Sequence, residues 1–226
     1  KQSKISKLLW SSENLIEIEK KILQKLEILR KALSSELFTS ANFIKIDNKD
    51  YFQNITSGID KFSDSKEYIS TKCVKNFTIS KSEKEISYTK RPSRANMQPV
   101  KNSLWFAKMK NTLKVIKPSE NDIQKYIFST GFCGIKINEK LVDLDYLFHY
   151  FLSDMFNRIK DSKAKGTTQK AVSDFEINNF LIPLPDIKKQ KIISNKLNKV
   201  LESIIEIENK IKCSKDIKQK LINYFF

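Results

Sequence analysis

The chain has 226 residues, enough for one sizeable core or for a modest domain with appendages. Lysine and arginine outnumber aspartate and glutamate by 42 to 26, and the formal net charge of +16 favours a polyanionic partner, nucleic acid first. The sequence has no run of about 18 apolar residues, so a membrane-spanning helix is not expected.

Three cysteines and a single histidine limit the metal and redox chemistry of this chain. Cys73, Cys133 and Cys213 lie far apart and form no Cys-x-x-Cys pair, so we expect no zinc site. The odd number of cysteines, and first residues without the pattern of a secretory signal, favour a reducing compartment. We therefore expect a cytoplasmic protein.

Residues 1–40 predict one long amphipathic helix. Its apolar residues recur at steps of three or four and predict a single helical stripe: Leu15, Ile18, Ile22, Leu26, Leu29, Leu33 and Leu37. A helix of this kind needs a partner for its apolar face, because packing supplies most of its stability.

Residues 41–186 differ in composition, with more aromatic residues and short β-prone runs, and predict a compact mixed α/β domain. One segment, Asp145–Ile159, predicts a single buried helix. The candidate strands are Phe43–Ile46, Phe77–Ile79, Leu104–Ala107, Leu113–Ile116 and Ile135–Ile137.

Residues 187–226 predict a second long helix, which Asp186 would cap. NLIEIEKKI at 14–22 and SIIEIENKI at 203–211 agree at six of nine positions. This indicates an internal repeat, although amphipathic helices rich in lysine and isoleucine also produce such a match by chance. The first helix enters the central domain at its C-terminus and the second leaves it at its N-terminus. The predicted fold class is therefore α+β, with the two helices in an antiparallel coiled coil.

Catalytic motifs are absent from the sequence. It has no Gly-rich phosphate loop, no HExxH, no Gly-x-Ser-x-Gly and no Asn/Asp-Pro-Pro-aromatic motif of an adenine methyltransferase. His149 lies in the apolar run Tyr146–Phe151, where a core imidazole is expected rather than a general base. We therefore expect a chain that is not an enzyme and needs no cofactor.

Two basic segments are candidates for DNA contact. No acidic residue occurs from Ile86 to Ser119, and within this stretch Arg91-Pro92-Ser93-Arg94 places two arginines around a proline-stiffened turn. Arginine forks match phosphate oxygens and the O6/N7 edge of guanine. The second segment runs from Lys163 to Lys170 and sets hydroxyls and an amide beside three lysines, which suits groove contact. A solvated lysine-rich face and an ordinary polar loop are the alternatives.

The order of these features resembles the specificity subunits of type I restriction-modification systems. One matching stretch is Gly166-Thr167-Thr168-Gln169, followed by Ile182-Pro183-Leu184-Pro185 and a helix start at Gln190-Lys191-Ile192-Ile193. The other is Arg91-Pro92-Ser93-Arg94-Ala95-Asn96, followed by Trp105-Phe106-Ala107-Lys108. The resemblance covers nearly the whole chain. Residues 1–40 and 187–226 resemble the conserved helices, and residues 41–186 resemble one target-recognition domain.

The resemblance implies that the domain reads one half of a split target in double-stranded DNA, while the helices dock methyltransferase and restriction subunits. S-adenosylmethionine and ATP then belong to those partners. Candidates for direct DNA contact are Ser93, Arg94, Thr167, Thr168 and Gln169. Candidate phosphate clamps are Lys90, Arg91, Lys108, Lys163, Lys165 and Lys170.

Three alternatives remain open at this stage. In the first, the chain is a half-subunit that pairs with a second copy of itself and reads an inverted, interrupted site. In the second, it is a coiled-coil interaction protein whose basic domain binds an acidic partner and no DNA. In the third, it is an isolated enzyme whose carboxylates meet only in the fold.

Overall fold

A computed structural model of the chain describes residues 2–40, 42–166 and 170–225. It divides into two compact units, Lys1–Glu36 with Asn195–Phe226 and Leu37–Ser194. The α-helices of the described residues are α1 (Gln2–Leu37), α2 (Glu120–Lys125), α3 (Leu144–Phe151), α4 (Asp154–Lys163), α5 (Asp174–Asn178) and α6 (Ile187–Phe225). The strands are β1 (Phe43–Lys45), β2 (Phe52–Ile55), β3 (Lys66–Ile69), β4 (Val74–Lys75), β5 (Thr78–Ile79), β6 (Lys84–Ile86), β7 (Ala95–Met97), β8 (Ser103–Ala107), β9 (Val115–Ile116), β10 (Tyr126–Ser129), β11 (Phe132–Ile137) and β12 (Leu181–Pro183). The predicted mixed fold class is confirmed.

The first unit consists of α1 and the greater part of α6, which pack together as an antiparallel pair. Ser214 Oγ donates to Glu19 Oε1 at 3.2 Å, and Lys218 forms an ion pair with Glu13. Residue numbers rise along α1 from Glu13 to Glu19, while the numbers of their partners on α6 fall from Lys218 to Ser214. The two helices therefore run in opposite directions. The predicted antiparallel pairing is therefore confirmed. No helix of the described ranges combines the length and apolar character needed to cross a membrane.

The face that α1 buries differs from the predicted stripe. Leu15, Ile18, Ile22 and Leu29 are between 41% and 49% exposed, whereas Ile16 is only 4% exposed. The prediction was therefore wrong for these four exposed residues, whereas the other three members of the stripe, Leu26, Leu33 and Leu37, are half-buried. The physical reason is that α1 carries apolar residues on two faces, and periodicity alone does not say which face meets a partner.

The second unit is built on two four-stranded sheets. One has the strand order β6-β3-β10-β7, with β3 and β10 parallel, and the other has the order β2-β11-β8-β9 with antiparallel neighbours. Trp105 of β8 is fully buried, and its ring meets Phe128 of β10 edge to face, with ring centroids 5.1 Å apart. This contact joins the hydrophobic faces of the two sheets in a common core.

The predicted helix Asp145–Ile159 is two helices, α3 and α4, so this prediction was wrong. The chain breaks at Ser153, whose Oγ donates to Tyr150 O at 2.6 Å and accepts from Phe156 N at 3.2 Å. Serine ends one helix and caps the next, because its hydroxyl satisfies backbone groups that each helix leaves unpaired. His149 is buried in α3, as expected for a core residue.

Gln190 fixes the start of α6 within the second unit. Its Nε2 donates to Leu141 O at 3.0 Å and to Pro185 O at 2.8 Å, and its Oε1 accepts from Asp143 N at 2.8 Å. The side chain is almost completely buried. The glutamine of the matching sequence stretch therefore has a structural role, since it satisfies three backbone groups, two before α3 and one before α6.

Gly134→Ala is expected to destabilise the second unit by about 1–3 kcal/mol, the typical cost of overpacking a well-packed core. Gly134 of β11 lies opposite Trp105, and a Cβ there would come within 2.5–2.6 Å of three carbons of the indole ring. The measurement is urea denaturation followed by the fluorescence of the buried tryptophan. Gly131→Ala is the matched control, because its Cβ would make only an ordinary 3.4 Å contact with Thr71. Equal unfolding midpoints for the two variants would contradict this account.

Candidate nucleic-acid interface

A groove on the second unit, here called the basic groove, encloses about 720 Å³. Residues from well-separated stretches of the sequence line it: Tyr68, Ser70, Thr71, Lys72, Glu83, Lys84, Pro92, Ser93, Arg94, Met109, Asn111, Thr112, Leu113, Lys114, Ser129 and Gly131. Four of these side chains are cations and one, Glu83, is a carboxylate. Six hydroxyls and one carboxamide add neutral hydrogen-bonding groups.

The groove lies where the parallel strands β3 and β10 end. Because the carboxyl ends of parallel strands meet at one edge of a sheet, Ser70 and Thr71 after β3 come next to Gly131 after β10. The loop between β8 and β9, residues 108–114, forms another wall. Lys114 Nζ donates to Thr71 O and so ties this loop to the end of β3.

The turn Arg91–Arg94 presents one arginine and holds the other. The Arg91 guanidinium lies 4.5 Å from the centroid of the Tyr88 ring and donates to Tyr88 O and to Asn96 Oδ1. Thr130 N donates to Arg94 O at 2.9 Å, which attaches the turn to the end of β10. With its backbone fixed in this way, Arg94 extends an exposed side chain in the groove.

Lys108 lies in a second cavity of about 380 Å³, which Asn54 and Cys133 also line. Its Nζ lies 3.2 Å from Asp174 Oδ1. Burial raises the pKa of the neighbouring Cys133 thiol to about 12, so this thiol is neutral at physiological pH. The Lys108 side chain therefore lies outside the lining of the basic groove and pairs with Asp174.

The second predicted segment is closed at its base by two backbone hydrogen bonds. Lys165 N donates to Ala171 O and Ala171 N donates to Lys165 O, both at 3.1 Å. Lys110 N donates to Lys170 O at 2.8 Å, so this base adjoins the β8–β9 loop. The predicted contacts Thr167, Thr168 and Gln169 lie outside the described residues.

The remaining predicted clamps are distributed over other surfaces. Lys165 Nζ lies 2.9 Å from Glu176 Oε1, and this hydrogen bond lowers the pKa of the Glu176 carboxyl. Lys163 lines an apolar cavity that also includes Phe38 and Phe180. Lys90 is exposed and does not line the basic groove.

Sequence reasoning identified Ser93 and Arg94 in the groove but missed other members of its lining. Lys72 and Lys84 stand in stretches that also contain acidic residues, and Asn111 has no sequence signal beyond its place in the acid-free segment. Only the strand order brings these residues together. Within the described ranges, no three histidine, cysteine or acidic side chains are placed to hold a metal ion.

The groove can bind an anion through ammonium and guanidinium groups, and it can hydrogen-bond the edges of bases through hydroxyl and carboxamide groups.

Residues 35–214 match the family described as the type I restriction modification DNA specificity domain. A specificity subunit of the type I restriction enzyme MjaX from Methanocaldococcus jannaschii is 33% identical over 100 residues, which span 44% of this chain and 23% of the relative.

Two solved structures share the fold. The HsdS subunit from Thermoanaerobacter tengcongensis superposes with a TM-score of 0.61 at 10% identity, over 98% of this chain and 56% of that protein. The S subunit of the type I restriction-modification system from M. genitalium gives a TM-score of 0.60 at 13% identity, over 97% of this chain and 59% of that protein. The chain thus spans little more than half the length of these structures. Because the family match covers residues 35–214, which is most of this chain, the chain belongs to the type I restriction-modification DNA specificity family.

Proposed function

We propose that this chain recognises a DNA sequence as a target-recognition module of a type I restriction-modification specificity subunit, and that duplex DNA binds in the basic groove. The observation that carries the proposal is the charge of the groove, where Lys72, Lys84, Arg94 and Lys114 accompany a single carboxylate. Lysine and arginine bind phosphate oxygens, and this attraction supplies much of the affinity of DNA-binding proteins.

Arg94 is assigned to base reading. Its guanidinium makes no hydrogen bond or ion pair within the described part of the chain, whereas that of Arg91 is held by Tyr88 and Asn96. A free guanidinium on a fixed turn can pair bidentately with O6 and N7 of guanine. Ser93 beside it supplies a hydroxyl for a phosphate or a base edge.

A second group of contacts is proposed around the loop that Lys165 and Ala171 close. Thr167, Thr168 and Gln169 stay in the proposal as direct contacts. Four exposed lysines are assigned to phosphates. Three of them flank residues 167–169 in the sequence and one precedes the turn Arg91–Arg94: Lys163, Lys165, Lys170 and Lys90. Arg91 and Lys108 are assigned to positioning, because each is only half-exposed and is paired within the protein.

No reaction is assigned to this chain. In the proposal, methylation and cleavage belong to the methyltransferase and restriction subunits, together with S-adenosylmethionine and ATP. The chain then acts in the cytoplasm, where those subunits meet DNA. Its contribution to either reaction is the choice of site.

The exposed face of α1 is proposed to dock the methyltransferase subunit. Leu8, Leu15, Ile22 and Leu29 recur every seven residues, with Ile18 between them, and all are more than 40% exposed. Heptad spacing is the pattern by which one helix packs against another. A contiguous exposed apolar stripe of this kind marks an interaction surface. A second copy of the chain is the competing occupant.

The DNA proposal is tested by selection from a pool of random duplexes. Arg94→Ala is expected to cost about 1–3 kcal/mol of affinity for the selected site and to relax preference at one position only, with binding to random DNA little changed. Lys72→Ala is expected to weaken binding to all sequences alike and to lower its salt dependence. Arg158→Ala, an exposed arginine of α4 outside the groove, is the control.

Two results would count against this assignment. A parent chain that enriches no sequence, either alone or with its methyltransferase subunit, would overturn sequence recognition and favour a coiled-coil protein with a basic domain. Loss of affinity for random DNA by Arg94→Ala would move Arg94 from a base to a phosphate.

The docking proposal is tested with the double variant Ile18→Asn, Ile22→Asn. Two polar side chains in the stripe should abolish copurification with the methyltransferase subunit and leave binding to random DNA unchanged. Phe175→Asn is the control, since Phe175 is an exposed apolar residue of the second unit. Sedimentation of the parent as a dimer and of the double variant as a monomer would support the second-copy alternative instead.

A further inference from the structure

We infer that the loop between β8 and β9 is a base-reading element of the basic groove, with Asn111 as its reader, and that Lys160 and Asp161 position it. The inference rests on the proposed function, because it names which further side chain of the groove carries sequence preference. Neither the reader nor the two positioning residues belongs to the segments that the family resemblance singles out.

Asn111 is exposed in the groove lining, and its carboxamide makes no hydrogen bond with any described residue. A carboxamide can pair bidentately with N6 and N7 of adenine. The backbone has a φ of 56°, a left-handed conformation that asparagine tolerates better than most residues. The groove thus holds a free reading group on a backbone of defined conformation.

Two consecutive residues at the end of α4 hold this loop. Lys160 Nζ donates to Met109 O at 2.8 Å, and Asp161 Oδ1 accepts from Asn111 N at 3.0 Å. The two side chains also pair with each other, with Lys160 Nζ 2.6 Å from Asp161 Oδ1. The backbone is therefore fixed on both sides of Lys110.

The burial of this pair indicates a positioning role. Lys160 is 1% exposed, and removing an ammonium group from water is costly even when a carboxylate neutralises it. Apolar residues would fill the same space at lower cost, so the pair contributes geometry more than stability. A reading group that is held in place before binding loses less conformational entropy on contact with a base.

The reader is tested with Asn111→Gly in selection from random duplexes. Glycine adopts the same positive φ without strain, so the variant removes the carboxamide and keeps the loop conformation. We expect a roughly ten- to one-hundred-fold loss of discrimination at one base pair, with unchanged affinity for random DNA. Asn76→Gly is the matched control, because Asn76 is exposed, has a φ of 55° and lies outside the groove lining.

The positioning role is tested with Asp161→Ala. Discrimination should fall at the same base pair as in Asn111→Gly, and the Asn111 amide should exchange its hydrogen faster. Ser162→Ala is the control, because the Ser162 hydroxyl donates only within α4, to Ile159 O. If Asp161→Ala loses the near-UV circular dichroism of the parent, Lys160→Met replaces it, since that variant keeps the acceptor for Asn111 N.

The outcomes separate this inference from the proposed function. A parent chain that enriches no sequence would overturn both. A parent that selects a site, together with an Asn111→Gly variant that selects the same site with equal enrichment at every position, would overturn the inference alone. A uniform loss of affinity in the Asp161 or Lys160 variant, with no change at the position that Asn111 reads, would overturn the positioning role.

Discussion

The parallel pairing of β3 with β10 is the constraint on which the basic groove depends. It brings two chain segments to one edge of the sheet, and the turn Arg91–Arg94 and the β8–β9 loop attach there through Thr130 N and Lys114 Nζ. Trp105 and Phe128 join the two sheets beneath this edge. Stability and site are therefore coupled, because a change that separates the sheets also separates the walls of the groove.

The cations of the second unit lie in two different environments. Three cations of the groove remain exposed: Lys72, Lys84 and Arg94. Water screens their mutual repulsion in the free protein, and a bound polyanion would neutralise them in its place. Lys160, in contrast, is buried, and it is neutralised by Asp161 and bonded to a backbone carbonyl. Exposed cations supply affinity in the proposed complex, and the buried one supplies geometry. The two roles need opposite environments, which explains why net charge alone does not identify the interface.

Local patterns predicted what is local in this chain. The α+β class and the antiparallel helices follow from periodicity and connectivity, whereas the assignment of Ser93 and Arg94 to DNA contact, which rests on a stiffened basic turn, stays a prediction. The break at Ser153 and the buried face of α1 did not follow, because a hydroxyl cap and a choice between two apolar faces depend on tertiary packing. Lys72 and Asn111 were missed for a related reason: strand order, which no short window contains, brings them into one groove.

The two faces of α1 have different consequences for the first unit. A pair of helices needs one apolar seam, and α1 places Ile16 in that seam together with the carboxylate of Glu19, which weakens it. A second apolar stripe, such as the one through Leu15 and Ile22, is typical of a helix that belongs to a bundle of more than two helices. In the proposed complex, a partner helix on this stripe would stabilise the pair by mass action. Assembly would then strengthen the same helices that serve as the docking surface.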